Sequence, residues 1–276
     1  MSMRRFSLRW WITNALRALT LVVILFPLLY ALSVSFMGPD EVYSNPPRLL
    51  PKTLSLTNYQ DALRTVLIAR FLLNSLIVST GITLGQLVVC SMAAFAFAYF
   101  EFPGKKFIFM AILATMMIPG ESIIISNYMT IGSLRWYDTY QALIVPGMAS
   151  ALAVFFLRQS FLSMPRELYE VARMDGCGNF RFLMTLLLPL SKGALGALGI
   201  YVFIGAWNQY LWPLLVTNKA EMRTVQIGIG MLKSSEFLSM GLIMAGIAMI
   251  LLPSVAIFFL GQRQILSGTL AGAIKG

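Results

Sequence analysis

The sequence contains no histidine, only two cysteines and few charged residues. Without histidine, the chain lacks the side chain that most often transfers protons near neutral pH and that commonly binds transition metals. Two cysteines cannot build a disulfide framework. Charged residues make up 12% of the 276 residues and hydrophobic residues 58%, whereas about one quarter of a soluble domain is charged. These values exclude an ordinary water-soluble enzyme and a disordered chain, and they indicate a protein of the lipid bilayer.

Six long apolar runs account for most of the chain. A helix needs about 20 apolar residues to cross the hydrocarbon core of a bilayer, and six such runs cannot all be buried in one soluble domain. The predicted spans are residues 15–37, 71–100, 107–134, 139–157, 193–217 and 238–261. We therefore predict an all-α fold, a single polytopic membrane domain of six transmembrane helices over residues 1–276. Pro119-Gly120 and Glu121 interrupt the third span, which is the least regular.

Basic residues are distributed unevenly between the two sides of these spans. Six crossings put both termini on one side, and 13 of the 21 Lys and Arg residues then lie on that side. Cytoplasmic loops of membrane proteins carry an excess of Lys and Arg, so both termini are predicted to be cytoplasmic. The net charge of +10 is then a signal of topology, and we expect no nucleic-acid partner.

The segment between the fourth and fifth spans, residues 158–192, is too polar to cross the membrane and has a helical pattern. Pro165 suits a first helical turn, and Gly176 can end the helix because glycine adopts positive φ readily. The apolar face of this helix would consist of Leu168, Val171 and Ala172. Asn179 can cap a second short helix, which Pro189 closes. We predict two short helices joined by a glycine turn at the cytoplasmic surface, able to transmit force from a cytoplasmic partner.

This segment resembles the EAA signature of the membrane subunits of ATP-binding-cassette importers, which reads E-A-A, three residues, G, nine residues, I-x-L-P. Glu170 opens the triplet here and Gly176 follows at the same spacing, while Val171 and Leu186 are conservative departures. The residues that the resemblance assigns to coupling with an ATPase are Glu170, Val171, Ala172, Arg173, Asp175, Gly176, Leu188 and Pro189. It implies that Glu170 faces a basic ATPase residue, that Ala172 presses into an ATPase groove, and that Gly176 permits close approach.

Three other stretches resemble one branch of these importers, the permeases of maltose-type carbohydrate and sn-glycerol-3-phosphate systems. They are RMDG at 173–176, WNQYLWPL at 207–214 and the tail AIKG at 273–276. The resemblance implies a multi-pass permease subunit of the bacterial inner membrane, surrounded by lipid. Its implied partners are a second homologous permease subunit, a dimer of ATP-binding subunits docked on residues 158–192, and an extracytoplasmic solute-binding protein, which the external loop 219–236 would approach. That loop reads as polar and mobile.

The resemblance also implies a cargo: glycerol 3-phosphate, a sugar or an oligosaccharide. The chain has no phosphate-binding G-x-x-x-x-G-K-[ST] loop of its own. No catalytic residue, metal or cofactor is therefore expected in it, and ATP with Mg would bind the partner ATPase. A phosphate cargo meets one physical objection, because the interior of the spans offers no Lys or Arg to pair with a dianion.

A few polar and aromatic residues in the spans are candidates for the cargo pathway. They are Glu121, Asn127, Trp207, Asn208 and Tyr210. Aromatic faces can stack on sugar rings, but the aromatic residues here could equally form an interfacial belt. Glu121, beside a predicted helix break, could equally lie at the outer interface. An ion-coupled secondary transporter or channel is the alternative function, since such proteins use carboxylates and broken helices within the membrane.

Overall fold

The computed structural model describes residues 8–65, 67–234 and 240–273, and these contain helices and loops but no strand. The α-helices are α1 (Leu8–Ser35), α2 (Pro39–Val42), α3 (Thr57–Thr65), α4 (Ile68–Tyr99), α5 (Lys105–Ala114), α6 (Ile124–Ser133), α7 (Tyr140–Ile144), α8 (Ala151–Leu162), α9 (Arg166–Met174), α10 (Asn179–Phe182), α11 (Leu188–Leu190), α12 (Lys192–Trp207), α13 (Leu211–Val216), α14 (Val225–Ser234) and α15 (Met240–Ala273). Short 3-10 helices occupy Thr115–Met117, Gly120–Ile123, Val145–Gly147 and Ala220–Met222, and a π-helical turn occupies Leu183–Leu187. The helical class that the continuous apolar runs predicted is confirmed.

Among the described residues, three helices are long and apolar enough to cross a bilayer alone. They are Ile12–Ser35 within α1, Ile68–Tyr99, which is α4, and Met240–Ile257 within α15. Three further stretches reach that length only as pairs of helices with a bend between them. The bend is 96° between residues 105–117 and 120–133, 46° between 140–147 and 151–162, and 81° between 179–190 and 192–207. By length and composition, the described chain therefore accommodates three to six crossings.

The third and fourth predicted spans are both broken at prolines. In the third, Ile118 is extended (φ −89°, ψ 117°) directly before Pro119, because a proline disfavours the α conformation of the residue that precedes it. The irregularity expected at Pro119-Gly120 is confirmed. In the fourth, the chain leaves α7 through the 3-10 turn at Val145–Gly147, and α8 begins after Ser150, whose Oγ accepts the N–H of Ala153 at 3.4 Å.

The fifth predicted span, residues 193–217, is not one continuous helix. Helix α12 ends at Trp207 and α13 begins at Leu211, so residues 208–210 form a break. Pro213 supplies the physical reason, since it has no N–H to donate four residues back and its ring clashes with the carbonyl of Gln209. A count of charge-free residues does not detect this. The first two residues of the sixth predicted span, Leu238 and Ser239, and the tail after Ala273 lie outside the described residues.

The chain divides into two compact units, residues 1–68 with 229–252 and residues 69–228 with 253–276. In the described part of the first unit, α3 is tied to the end of α1. The side-chain amide of Asn58 donates to the carbonyls of Ser35 and Met37 at 2.9 and 2.8 Å. The hydroxyls of Tyr59 and Ser35 lie 2.7 Å apart. The two amide bonds satisfy the carbonyl of Ser35, which ends α1 and has no partner within its own helix, and that of Met37 just beyond it.

In the second unit, the core lies between α4 and α8, around Cys90, Leu157 and Phe161, all buried. Lipid gives little hydrophobic gain to such burial, so close packing stabilises helix pairs in a membrane. Glycines in α4 allow this packing. A Cβ on Gly85 would lie 2.5 Å from Cγ of Met148, just after the fourth-span break. The broken segment therefore lies directly against α4.

Candidate coupling surface and cargo pathway

The segment after the fourth span contains the predicted helix, glycine turn and second helix. Helix α9 ends at Met174, and Gly176 follows with φ +75°. The N–H of Gly176 donates to the carbonyl of Arg173 at 3.1 Å, and that of Cys177 to Ala172 at 2.9 Å. This pair of bonds is the Schellman motif, which requires a left-handed residue where Gly176 lies. The prediction that Gly176 ends the helix is confirmed.

Two details of the prediction for this segment are wrong. Asn179 does not cap the second helix, because Gly178 occupies the cap position. Instead, Oδ1 of Asn179 accepts hydrogen bonds from the hydroxyl of Tyr169 at 2.8 Å and from Nη1 of Arg173 at 3.2 Å, and so joins the two helices. Pro189 does not close the second helix but lies inside α11. Pro189 has no N–H to donate to the carbonyl four residues earlier. The π-helical turn before it already interrupts the regular α-helical hydrogen bonds at that point.

Helix α9 is attached to the end of α4 by aromatic rings. The ring centroid of Tyr169 lies 4.9 Å from that of Tyr99 and 5.0 Å from that of Phe182. Phe95, one turn earlier in α4, completes the group at 6.3 Å from Tyr169. Each such pair contributes about 0.5–1.5 kcal/mol beyond its buried area. These contacts pack α9 directly against the end of α4.

The predicted apolar face of α9 is divided between two directions. Val171 is 54% exposed, and Leu168 and Met174 are exposed with it. Ala172 is only 9% exposed and belongs to the core of this chain. It forms part of the floor of a groove of about 580 Å³ between α9 and the second helix. The side chains exposed on the outward face of α9 are those of Leu168, Val171 and Met174, and the contact of Ala172 with an ATPase stays a prediction.

The charged residues of this surface remain accessible. Nε of Arg166 lies 3.9 Å from Oε1 of Glu170, and both side chains are largely exposed, so solvent screens this pair strongly. Arg173, Asp175 and Pro189 are exposed too, and Leu188 is half-buried. We call the outward residues the coupling surface: Leu168, Glu170, Val171, Arg173, Met174, Asp175 and Gly176. A partner could contact both its apolar and its charged groups.

The breaks in the third, fourth and fifth predicted spans surround two adjoining cavities. One, of about 660 Å³, is lined by residues that include Gln86, Tyr201 and Asn208. The other has about 410 Å³. Gly147 and Gln209 line both cavities, which together we call the break recess. Non-helical backbone at membrane depth is tolerated where it is buried in protein or lines a water-filled cavity. The three breaks in the backbone therefore lie around one recess, which also contains amide and hydroxyl groups.

Four of the five candidate pathway residues line this recess. Asn208 lines the larger cavity, and Glu121, Asn127 and Tyr210 line the smaller one. Trp207 lines neither cavity, and its place in the pathway stays a prediction. It is 2% exposed, and its ring stacks on Phe203 with centroids 5.9 Å apart. In an almost uniformly apolar helix, the buried face and the face that lines a cavity look alike in sequence. The sequence therefore does not distinguish the buried Trp207 from Asn208, which lines the larger cavity.

Gln86 was not a candidate from the sequence, and Gln209 was considered only as part of the stretch at 207–214. Nε2 of Gln86 donates to the carbonyl of Gly147 at 2.7 Å, which satisfies the backbone at the fourth-span break. Gln209 lies at the break of the fifth span, and its side chain makes no hydrogen bond with the described residues. The available signal was an amide inside an otherwise apolar run, since such a group needs a partner in a membrane.

The loop from Thr217 to Val225 is held firmly, contrary to the expectation of a mobile external loop. Asn74 of α4 is fully buried, and its amide donates to the carbonyls of Glu221 and Arg223 at 2.7 and 2.9 Å. The hydroxyl of Tyr140 donates to Oδ1 of Asn74 at 2.7 Å. The carboxylate of Asp138 accepts the backbone N–H groups of residues 218 and 219 at 2.6 and 2.8 Å. Residues 235 and 236 of the predicted loop lie outside the described residues.

The chain is similar to known membrane transport components. It matches the family model described as binding-protein-dependent transport system inner membrane component over residues 86–266. It is 42% identical over 218 residues to the sn-glycerol-3-phosphate transport system permease protein UgpE of Brucella abortus, covering 76% of this chain and 77% of the relative. The UgpE proteins of Agrobacterium fabrum and Escherichia coli are each 37% identical to it, over 93% and 94% of this chain and 94% and 96% of the relatives.

A solved structure has the same fold. It is that of a bacterial ABC transporter involved in the import of the acidic polysaccharide alginate, and the chain matches it with a TM-score of 0.82 at 21% identity, over 95% of this chain and 99% of that one. The resemblance first seen in the segment around Glu170 and Gly176 is confirmed by the family match and the relatives. So is the prediction of a multi-pass protein of the bacterial inner membrane.

Proposed function

The chain belongs to the family of inner membrane components of binding-protein-dependent transport systems, and on that basis we propose that it forms half of the translocation pathway of an ATP-binding-cassette importer. A second homologous permease subunit forms the other half, and an extracytoplasmic protein delivers the cargo. The chain crosses the membrane six times, through α1, α4, α5 with α6, α7 with α8, α12 with α13, and α15. Both termini are cytoplasmic, as the distribution of Lys and Arg favours.

The observation that carries this proposal is that the coupling surface lies on α9, which packs against the end of α4 through Tyr169 and Tyr99. Apolar side chains exposed together with charges are typical of a surface that a partner covers. The partner is the ATPase, which holds ATP and Mg and contacts Leu168 and Val171, with a basic group at Glu170. When it closes on ATP, α9 moves, and the contact between Tyr169 and Tyr99 carries that movement into α4.

The cargo passes through the break recess, where Gln86, Asn127, Gln209 and Tyr210 offer amides and a hydroxyl. These groups suit the hydroxyls of sn-glycerol 3-phosphate, the cargo in the names of the relatives, or those of a sugar or oligosaccharide. Among the residues that the structure describes, no Lys or Arg lines the recess, and Glu121 is its one charged residue. The phosphate of glycerol 3-phosphate is therefore held by the second permease subunit.

Uptake into proteoliposomes tests the function. With the second permease subunit, the ATPase and the binding protein present, radiolabelled glycerol 3-phosphate or oligosaccharide should enter only when ATP and the binding protein are supplied. Glu121→Gln should retain this uptake, because no proton or ion needs to bind there. An ion-coupled transporter would give the opposite result, with uptake that survives without ATP and is lost in Glu121→Gln.

Gln209→Leu tests the pathway separately from the coupling. Losing one hydrogen bond to the cargo, worth about 1 kcal/mol, should lower uptake at limiting cargo about fivefold. ATP hydrolysis stimulated by the binding protein should continue, since Gln209 lines the break recess and is not part of the coupling surface. The matched control is Gln141→Leu, which replaces an exposed glutamine that does not line the recess. Equal uptake by the two variants would remove Gln209 from the pathway.

A further inference from the structure

A third cavity, of about 730 Å³, lies where α4 ends and α5 begins. We call it the basic pocket. Three basic residues line it, Lys105, Lys106 and Arg158, and Glu101 is the single acid among its lining residues. It has no part in the coupling surface or the break recess. It lies next to the point at which two membrane-crossing helices leave the apolar region, where the headgroups of a bilayer are found.

Arg158 of α8 is held in place while part of its guanidinium stays unused. Its Nε donates to the carbonyl of Phe97 at 3.1 Å, and its Cζ lies 4.4 Å from the centroid of the Phe109 ring. These contacts fix the plane of the group. Its two terminal nitrogens make no hydrogen bond within the described parts of the chain. A guanidinium held in this way presents a planar pair of donors, the geometry that suits two oxygens of a phosphate.

The two lysines differ in their contacts. Nζ of Lys105 donates to the carbonyl of Phe100 at 2.7 Å and lies 3.1 Å from Oε1 of Glu101, so it neutralises the acid of the pocket. Lys106 is exposed and makes no ion pair with the described residues. Two positive charges of the basic pocket, on Lys106 and Arg158, therefore have no acidic partner among the described residues, and they lie beside the N-terminus of α5, which also favours an anion.

An apolar wall continues from the charged end of the basic pocket. Phe107 is 75% exposed and Met110 lies three residues on, exposed on the same face of α5. Both side chains line the basic pocket, and both belong to α5, which is part of the proposed third span. An inorganic phosphate would occupy the charged end and leave this wall uncovered. A ligand with a phosphate and a hydrocarbon chain would cover both.

We propose that the basic pocket binds an anionic phospholipid, with its phosphate at Lys106 and Arg158 and an acyl chain against Phe107 and Met110. Basic pockets between membrane helices bind anionic lipid headgroups in this manner. The lipid links α5 to α8. This site requires only that the chain lies in a membrane, so it is independent of the cargo and of the ATPase.

The test uses the purified transporter with its partner subunits in vesicles of phosphatidylcholine that contain a trace of spin-labelled lipid. The immobilised fraction of spin-labelled phosphatidylglycerol should exceed that of spin-labelled phosphatidylcholine. In the double variant Lys106→Gln with Arg158→Gln, the preference for phosphatidylglycerol should fall about fivefold for each charge removed. The matched control Lys52→Gln with Arg64→Gln removes two exposed basic residues elsewhere and should keep the preference of the unmodified chain.

Two further arms separate the outcomes. Lys106→Gln alone breaks no side-chain hydrogen bond or ion pair within the described residues. Its preference for phosphatidylglycerol should therefore still fall about fivefold, even where Arg158→Gln lowers the folded yield. Inorganic phosphate at millimolar concentration should not displace the labelled phosphatidylglycerol, because it cannot cover Phe107 and Met110. Displacement by inorganic phosphate would show a free-phosphate site and overturn the proposal. A preference that is unchanged in both variants, or equally reduced in the control, would also overturn it.

Discussion

Replacement of Gly176 by aspartate is expected to lower ATP-driven uptake more than tenfold while the amount of folded protein in the membrane stays unchanged. A Cβ at Gly176 would have no heavy atom within 4 Å, so this chain has room for the side chain. Asp tolerates the left-handed conformation better than most residues, at a cost of about 1 kcal/mol. A docked ATPase would bury the new carboxylate beside Asp175 without a partner, and an unpaired buried charge is strongly unfavourable.

Three measurements check this expectation: uptake, binding-protein-stimulated ATP hydrolysis, and the amount of ATPase that co-purifies in mild detergent. All three should fall together in Gly176→Asp. The control is Gly38→Asp, which adds the same side chain at another glycine with open space around its Cβ and should behave as the unmodified chain. If Gly176→Asp transports normally, the turn is not part of the contact with the ATPase.

Replacement of Asn74 by leucine is expected to cause the largest loss of stability. Asn74 is buried, and its removal leaves the carbonyl of Arg223 and the hydroxyl of Tyr140 without their hydrogen bonds, while the carbonyl of Glu221 keeps the bond from Nε of Arg70 at 3.2 Å. Each polar group left unpaired costs about 1–3 kcal/mol, so the total is about 3 kcal/mol or more. The midpoint of thermal unfolding should fall by about 6–12 °C, and the loop that Asn74 holds should become mobile.

A thiol-reactive fluorophore measures this unfolding, because Cys90 is buried and becomes reactive only when α4 separates from its neighbours. The experiment uses a Cys177→Ser background, since Cys177 is partly exposed. Tyr140→Phe is the matched variant. It removes one of the three hydrogen bonds and should lower the midpoint by about a third as much. An Asn74→Leu midpoint within 1–2 °C of the unmodified chain would show that the loop is held by other contacts.

The parts of the fold that depend on local residues could be predicted. The second span was placed at 71–100 and observed at Ile68–Tyr99, because a continuous apolar run suffices to define it. The glycine turn was placed correctly because positive φ is a property of a single residue. Asn74 was missed because the carbonyls it binds lie 147 and 149 residues away in the chain. No local pattern contains that information.

The candidate pathway was harder to predict than the coupling segment. Water sorts polar and apolar residues onto opposite faces of a soluble helix, whereas lipid and protein interior are both apolar. The sequence of α12 therefore does not show which of its faces is buried. For that reason Trp207 could not be assigned to the protein interior and Gln209 to the break recess. The break between α12 and α13 separates them, and that break follows from the position of Pro213.

The π-helical turn at Leu183–Leu187 has a consequence for how this segment can change in evolution. Such a turn bonds residues five apart instead of four, so it accommodates one more residue than a turn of regular α-helix does. Deleting one residue there would restore the regular bonding and would leave Leu188 and Pro189 facing nearly the same direction relative to α9. A deletion within the regular α-helix of α9 would instead turn the side chains that follow by about 100°. The spacing between Gly176 and the leucine–proline pair can therefore lose one residue at Leu183–Leu187 without changing the face that this segment presents.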